Sequence, residues 1–260
     1  MPLTKKQSTR NDDWLDAVRN IEDLVSRKDL DKLVKTTVKE IKATTKGKKA
    51  AYAWSGGKDS IVLGKICEMA GITDCLIGVC DLEYPAFMKW VEENKPAGCE
   101  VINTHQDLEW LAKHPNMLFP QDSTTAAHWF SVVQHRAQRE YFKKNSIDIL
   151  LLGRRLADGN FVGRGTNIYT DGKGVTRYSP LSKWKHEDVL AFIHYYDLSL
   201  PPIYNWKNGY VCGTHPWPAR QWTGSVENAW QEIYDIDESI VIKAAEKIES
   251  AVQFLEVVKR

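Results

Sequence analysis

Apolar residues change their spacing along the chain near Ala50, and the change predicts two kinds of structure. Before Ala50 they recur at intervals of three and four residues in two stretches that join near Lys28, a pattern typical of two amphipathic helices. After Ala50, short uninterrupted apolar runs alternate with helical patterns. The runs cover 50–54, 76–80, 99–103 and 147–152, with a helical pattern from Ile61 onward and others at 87–93 and 126–142. Runs of this length predict strands buried on both faces, so the expected fold class is α/β with a doubly wound, mostly parallel sheet.

The pattern is less regular after Gly153. A stretch rich in glycine and arginine, 154–177, is typical of a mobile or ligand-ordered loop. A helix is predicted at 187–196, an irregular Trp/Pro/Gly segment extends to Gly224, and 236–258 is predicted as one final amphipathic helix. We therefore expect an N-terminal helical extension over 1–48, an α/β domain over 49–204, and a C-terminal Trp-rich segment with a helix over 205–260.

Charge and composition narrow the range of partners. The 260 residues carry a formal net charge of +1, so no global field attracts nucleic acid or anionic lipid. No apolar run has the length of a membrane span, and the first residues lack the apolar core of a signal peptide. We therefore expect a cytoplasmic protein with no membrane partner. The five cysteines form no CxxC pair and are interpreted as small buried thiols.

Two groups of residues are candidates for contact with a partner. Five of the ten tryptophans lie late in the chain, at Trp184, Trp206, Trp217, Trp222 and Trp230. Basic residues recur in the N-terminal helices at Arg27, Lys28, Lys32, Lys35, Lys39 and Lys42. We interpret the first group as a packed aromatic cap and the second as a solvated face. A protein partner on either surface, or a nucleic acid, remains the alternative.

The strongest local signal is the loop Ser55-Gly56-Gly57-Lys58-Asp59-Ser60 between a predicted strand and a predicted helix. Glycines let the main chain approach a phosphate closely, and a helix N-terminus supplies converging N–H donors and a favourable field. The two serine hydroxyls add donors, Lys58 adds a point charge, and Asp59 indicates either a bridging Mg²⁺ or a helix cap. The spacing is not that of a Walker A motif. The loop therefore predicts a phosphate site, and a plain strand–helix turn is the alternative.

The loop resembles the PP-loop of the N-type ATP pyrophosphatases, and the chain is most similar to their phosphoadenylyl-sulfate (PAPS) reductase family. That family also includes the small subunit of sulfate adenylyltransferase. Further stretches support the resemblance, which covers roughly 50–210. They are Asp81-Leu82-Glu83-Tyr84-Pro85, Gly153-Arg154-Arg155 with Arg164, Tyr178-Ser179-Pro180-Leu181-Ser182-Lys183-Trp184, Asp188-Val189 and Leu200-Pro201-Pro202-Ile203-Tyr204.

The resemblance implies an adenine nucleotide alpha hydrolase-like fold and a set of site residues. It implies ATP, or adenylyl sulfate (APS) or PAPS, as the nucleotide, with Mg²⁺ as its companion and no metal held by protein residues. The implied catalytic residues are Lys58, Asp59 and Arg154. The implied nucleotide-binding residues are Ser55, Gly56, Gly57, Lys58, Asp59, Ser60, Asp81, Gly153, Arg154, Arg155 and Arg164, with the main chain over 79–81 beside the adenine or ribose. Either Arg164 or Arg177 is a candidate for a terminal phosphate or sulfate.

Cysteine positions depart from the family's reductases. The sequence has no cysteine after Cys212, whereas those enzymes use a nucleophilic cysteine near the C-terminus. The adjacent cysteine pair of the iron–sulfur members would fall near His128 to His135, where this chain has none, so we expect no iron–sulfur cluster. Both histidines are interpreted as partly buried and hydrogen-bonded. Cys212 and His215 have the spacing of half a zinc site, and Cys212 is interpreted as structural, with a reactive thiol as the alternative.

Three functions follow as hypotheses. The first is a PP-loop enzyme that cleaves ATP between the α and β phosphates and adenylylates an acceptor, in sulfate-type or sulfur-transfer chemistry. The second is a thiol-dependent PAPS or APS reductase that uses Cys212. The third is a non-catalytic nucleotide-binding regulator that acts with a protein or nucleic-acid partner.

Overall fold

A six-stranded sheet forms the centre of the computed structural model, which describes residue 3 and residues 9–221 and 223–258. In chain order the strands are β1 (Ala50–Ala53), β2 (Cys75–Val79), β3 (Cys99–Asn103), β4 (Ile149–Leu151), β5 (Ile168–Thr170) and β6 (Thr176–Tyr178). Their spatial order is β3-β2-β1-β4-β6-β5. β1 to β4 and β6 run parallel, and only β5 is antiparallel to its neighbour β6. The prediction of a mostly parallel, doubly wound sheet is therefore confirmed.

The chain winds outward in both directions from β1. β1 pairs with β2 on one side and with β4 on the other, with Ala51 opposite Leu150. The predicted strands β1, β2 and β4 coincide with apolar runs because both of their faces are largely buried, whereas β3, at the edge of the sheet, is only half-buried and exposes Val101. In such sheets the crevice at the carboxyl ends of the strands, where the winding reverses, is where ligands bind. Here that point lies at the end of β1 and β4.

Helices flank the sheet. They are α1 (Asn11–Arg19), α2 (Ile21–Leu24), α3 (Arg27–Thr45), α4 (Lys58–Ala70), α5 (Pro85–Asn94), α6 (Leu108–Lys113), α7 (Ser123–Phe130), α8 (Arg136–Lys144), α9 (His186–Tyr195), α10 (Gly209–Cys212), α11 (Val226–Ile236), α12 (Glu238–Ala244) and α13 (Glu249–Val258). A π-helical turn, Ser131–His135, joins α7 to α8, so the predicted helix at 126–142 is one continuous but irregular element. Among the described residues, no helix is long and apolar enough to cross a bilayer.

Two sequence predictions are wrong. The segment 154–177 is not a single loop, because β5 and β6 form a hairpin closed by a turn in which Asp171 accepts the N–H groups of Lys173 and Val175. The predicted helix at 236–258 is split between the end of α11 and the two helices α12 and α13. It breaks at Asp237, whose extended backbone and side chain cap α12.

The N-terminal helices pack directly on the sheet's helical layer. Trp14 of α1 and Ile41 of α3 are fully buried, and the Trp184 indole N–H donates to Thr37 of α3 at 3.1 Å. One continuous hydrophobic core therefore contains residues from α1, α3, the sheet and α12. The division at residue 48 remains a prediction about the sequence, and the core crosses it.

The described late tryptophans pack against other aromatic side chains. Trp217 and Trp230 contact each other and Phe119, Trp206 contacts Tyr84, and Trp184 contacts Phe192. Trp222 lies outside the described residues. Three of the predicted buried thiols, Cys67, Cys75 and Cys80, are buried, whereas Cys99 and Cys212 are half-buried.

Candidate nucleotide site

The loop 55–60 connects the end of β1 to the first turn of α4, at the point where the sheet's winding reverses. Its shape is held by Ser60, whose hydroxyl accepts the Ser55 N–H at 2.9 Å and donates to the Gly57 carbonyl at 2.8 Å. The Ser55 hydroxyl in turn lies 3.2 Å from the Ser60 hydroxyl. The loop therefore closes on itself before α4 begins, and the 13-residue helix α4 directs its positive N-terminal end at the loop.

Space around the loop is tight on one side. Gly57 has ordinary backbone angles as the residue that caps α4, but a Cβ there would lie 3.1 Å from the Thr214 hydroxyl and 3.3 Å from that of Ser55. Gly56 packs on α5, where Phe87 would lie 2.8 Å from an added Cβ. The segment that follows α10 therefore lies directly beside the loop, although it is more than 150 residues away in sequence.

Lys58 and Arg155 meet at one carboxylate inside the protein. The Lys58 ammonium lies 2.7 Å from Oδ2 of Asp59, and the Arg155 Nε–H donates to Oδ1 at 2.7 Å. The side chains of Lys58 and Arg155 are only 3% and 0% exposed, so both charges are withdrawn from solvent. The structure thus brings three predicted site residues together, but it turns the Lys58 ammonium toward Asp59.

Further groups complete this network. Arg155 donates to Asp158 at 3.1 Å and lies 3.1 Å from Nδ1 of His186, and burial, followed by the charge of Arg155, lowers the pKa of His186 to about 4. Trp14 closes the network from α1, with its ring 5.0 Å from the Lys58 ammonium. Two cations and two carboxylates nearly cancel around a neutral histidine. These side chains therefore give the loop little net charge, and the favourable field there comes chiefly from the N-terminus of α4.

The end of β4 contributes the next predicted residues. Gly153 lies against the first turn of α4, where an added Cβ would be 3.1 Å from the Asp59 carbonyl oxygen. The next residue, Arg154, points away from this network. Its guanidinium donates to the Tyr169 hydroxyl at 2.7 Å and lies 2.8 Å from Nε2 of His135.

The remaining predicted residues lie apart from the network. Asp81 is at the carboxyl end of β2, where Asn103 donates to its carboxylate and His105 lies 3.5 Å away. Arg164 is exposed, and Arg177 is buried with its guanidinium paired to Asp171. The structure therefore favours Arg164 over Arg177 as a candidate for a terminal phosphate or sulfate.

Comparison with known proteins decides the family. The model of the phosphoadenosine phosphosulfate reductase domain matches residues 49–213, which contain the loop and all the predicted site residues. The chain belongs to this family. Its mostly parallel sheet of six strands is flanked by helices, as expected for the α/β fold class. No curated protein matches the chain.

Solved structures resemble this family member only distantly. A PAPS reductase from Candida auris, solved as a phosphate complex, is 15% identical, with 70% of this chain and 92% of that chain covered and a TM-score of 0.49. An NMN synthetase from Francisella tularensis is 17% identical, with coverages of 65% and 71% and a TM-score of 0.45. The U34-tRNA thiolase NcsA from Methanococcus maripaludis, with its [4Fe-4S] cluster, is 17% identical, with coverages of 88% and 81% and a TM-score of 0.44. These likenesses are too weak to carry an argument about chemistry.

The residues of this PAPS reductase family member do not form a Mg²⁺ site of their own at the loop. Both carboxylate oxygens of Asp59 contact cationic nitrogens, and a carboxylate used in this way is a poor Mg²⁺ ligand. Within the described ranges, no group of three or more His, Cys, Asp or Glu side chains is placed to hold a metal.

The two histidines near the family's cysteine-pair position differ from each other. His135 is half-buried and contacts Arg154, as predicted for a hydrogen-bonded histidine. His128 is exposed, so its predicted partial burial is wrong. It lies in α7, whereas His135 is the last residue of the π-helical turn that follows.

Several residues of the site were missed by sequence reasoning. The Tyr204 hydroxyl accepts the Lys58 N–H at 2.8 Å, and Thr214, Asp158, His186 and Trp14 surround the loop or its network. Tyr204 ends one of the stretches that resemble the family, which was an available signal. The other four are joined to the loop by long-range packing and had no local signal.

Proposed function

We propose that this chain binds ATP or an adenylyl-sulfate nucleotide at the loop 55–60 and that, with ATP, it cleaves the bond between the α and β phosphates and adenylylates an acceptor. The observation that carries the proposal is the loop itself. It lies at the winding point of the sheet, is closed by Ser60, and opens onto the N-terminus of α4, within a domain of the PAPS reductase family. Sulfate-type or sulfur-transfer acceptors fit this family assignment.

The chemistry is a displacement at phosphorus. An acceptor oxygen bonds to the α phosphorus, and the bond from that phosphorus to the bridging oxygen breaks. Pyrophosphate leaves with the bridging oxygen and its electron pair. In this proposal the positive N-terminal end of α4 stabilises the charge that builds on pyrophosphate. Lys58 and Arg155 act on the loop through Asp59, which they hold against the start of α4.

Two glycine variants test the loop. In Gly57→Ala the new methyl group meets Thr214 and Ser55, so we expect ATP to bind about tenfold or more weakly, as expected when one or two charge-assisted hydrogen bonds are lost. Gly71→Ala is the matched control. It places alanine at a φ of +86° with nothing within 4 Å, so it should lower stability by about 1–2 kcal/mol and leave binding unchanged. Calorimetry with ATP, APS and PAPS, together with pyrophosphate release, provides the measurement. Equal nucleotide affinities in the two variants would contradict the assignment of the loop.

A second candidate function uses Cys212. Its helix α10 precedes Thr214, which lies beside Gly57, so the half-buried thiol is held near the loop. In a thiol-dependent reductase, Cys212→Ser would abolish sulfite production from APS or PAPS and leave nucleotide binding intact. Unchanged activity in that variant would remove Cys212 from the mechanism. Tight nucleotide binding without pyrophosphate or sulfite would instead favour the regulator.

A further inference from the structure

Three arginines, two just after β4 and one within β6, have different kinds of partners. Arg155 contacts the carboxylates of Asp59 and Asp158, and Arg177 contacts that of Asp171. Arg154 is instead held by two uncharged groups, the Tyr169 hydroxyl at 2.7 Å and Nε2 of His135 at 2.8 Å. Among the described residues, no carboxylate lies within ion-pair distance of Arg154.

His135 is suited to hold a cation without neutralising it. Arginine has only N–H donors, so Nε2 of His135 must accept and the ring proton must be on Nδ1. Burial, followed by the charge of Arg154, lowers the pKa of His135 to about 4, and the ring is therefore neutral near pH 7. Arg177 and Arg139 add positive potential to the same region, and the carboxylate of Asp171 is already paired with Arg177.

Arg154 is also held by two separate elements. His135 ends the π-helical turn between α7 and α8, a local irregularity that often occurs at functional sites, and Tyr169 lies in β5 of the hairpin. The guanidinium uses one N–H on each terminal nitrogen for these contacts, so its Nε–H and a second N–H on each terminal nitrogen remain for a ligand. A half-buried cation costs free energy unless a counter-charge is supplied.

We propose that Arg154 is the receptor for a compact oxyanion group of the substrate, a phosphate or a sulfate, and that His135 and Tyr169 are positioning residues that keep it charged and oriented for that group. The counter-charge that the protein supplies to Arg155 and Arg177 is supplied to Arg154 by the ligand. This inference rests on the proposed function, which puts the nucleotide at the loop before α4. Gly153, the residue before Arg154, packs against the first turn of α4 and so links Arg154 to that loop.

The oxyanion has two possible sources. It is either a phosphate of the nucleotide itself or a separate acceptor oxyanion, and the two are distinguished by the order of binding. The probes are α,β-methylene-ATP, which cannot be cleaved between those phosphates, and inorganic sulfate. Calorimetry measures the affinity of α,β-methylene-ATP alone, and then that of sulfate for protein already saturated with the analogue.

The decisive variants are His135→Glu and His135→Gln. Glutamate supplies a carboxylate that neutralises Arg154. We expect the affinity for one of the two probes to fall by about 10- to 100-fold, the effect of losing a hydrogen bond to a charged group. Glutamine keeps a neutral acceptor at this position, so the affinity of His135→Gln for the same probe should stay within about threefold of that of the unaltered protein. Tyr169→Phe, which retains the ring but loses the hydroxyl, should weaken the same probe by a smaller factor. Thermal unfolding of each variant shows that it is folded.

Each outcome bears on the proposal. Loss of α,β-methylene-ATP affinity in His135→Glu assigns Arg154 to the nucleotide, and loss of sulfate affinity assigns it to the acceptor. Equal affinities of His135→Glu and His135→Gln for both probes would overturn the inference, even with pyrophosphate release intact. The opposite result is also informative. If the unaltered protein releases no pyrophosphate, but affinity for one probe falls in His135→Glu and not in His135→Gln, the role of Arg154 is supported and the adenylylation reaction is overturned.

Discussion

Asp59 is the residue on which the charges around the loop converge. Its sequence position predicted either a metal bridge or a helix cap, and the structure instead gives one oxygen to Lys58 and the other to Arg155. Lys58 was predicted as a charge for the phosphate because the sequence shows which residue lies in the loop but not where its flexible side chain points. The main-chain contribution of Gly56 and Gly57 follows from the motif. Besides Asp59, the partners of Lys58 are Trp14 of α1 and the hydroxyl of Tyr204, which no local pattern connects to it.

Removal of the Asp59 charge should destabilise the protein strongly. Asp59→Asn leaves two buried cations without their shared carboxylate, and breaking a buried pair in this way costs about 3–5 kcal/mol. Asp31→Asn is the control, since its pair with Arg27 on α3 is exposed and is worth about 0.3–0.5 kcal/mol. Urea unfolding measures both free energies. A loss below about 1 kcal/mol in Asp59→Asn would show that the network does not hold the loop.

At the scale of elements, sequence reasoning succeeded where packing is local and failed where tertiary contacts decide. β1 to β4 lie within or one residue from their predicted runs. For β1, β2 and β4 the reason is burial on both faces, which needs continuous apolar residues, whereas the edge strand β3 is only half-buried. β5 and β6 are as short as β4 but, unlike β4, do not lie in a continuous apolar run, so they are recognised only through their pairing. The apolar period of the last segment continues across Asp237, so the sequence did not reveal the break.

Helix α1 is expected to be part of the site rather than an appendage. Trp14 is fully buried, contacts His186 at 4.6 Å and Tyr210 at 5.8 Å between ring centroids, and covers the Lys58 ammonium. Trp14→Ala should therefore cost about 3–5 kcal/mol of stability and also weaken nucleotide binding. Val18→Ala, at a half-exposed position one turn later, should change stability by no more than about 0.5 kcal/mol.

The two measurements separate packing from function. Chemical unfolding gives the stability of each variant, and calorimetry with ATP at a temperature where both are folded gives the affinity. Trp14→Phe should recover much of each property, because the indole N–H of Trp14 has no acceptor among the described residues and the ring contacts are partly kept. If Trp14→Ala binds ATP as tightly as Val18→Ala does, α1 supports the fold alone.

For the whole molecule, buried groups of opposite kind determine how stability depends on pH. Burial, followed by the charges of neighbouring arginines, lowers the pKa values of His135 and His186 to about 4 from 6.5. Burial raises the pKa of Glu83, in the segment after β2, to about 8 from 4.5. All three groups are therefore uncharged in the folded protein near pH 6.5. In the unfolded chain the two histidines become protonated as the pH falls below 6.5, and Glu83 is already ionised above its ordinary pKa of 4.5.

The signs predict a stability maximum near pH 6.5. As pH falls from 6.5 toward 4, the unfolded chain binds protons at both histidines before the folded protein does, so stability is lost. As pH rises from 4.5 through 8, the unfolded chain ionises at Glu83 first, and the stability gained from the neutral carboxyl is lost. Two histidines oppose one carboxyl between pH 6.5 and 4.5, so acid destabilises there. Urea unfolding from pH 4 to pH 9 measures the profile. Glu83→Gln should flatten the alkaline side and steepen the acid side, and His186→Gln should flatten the acid side. A profile that neither variant changes would mean that these groups are not buried as the structure shows.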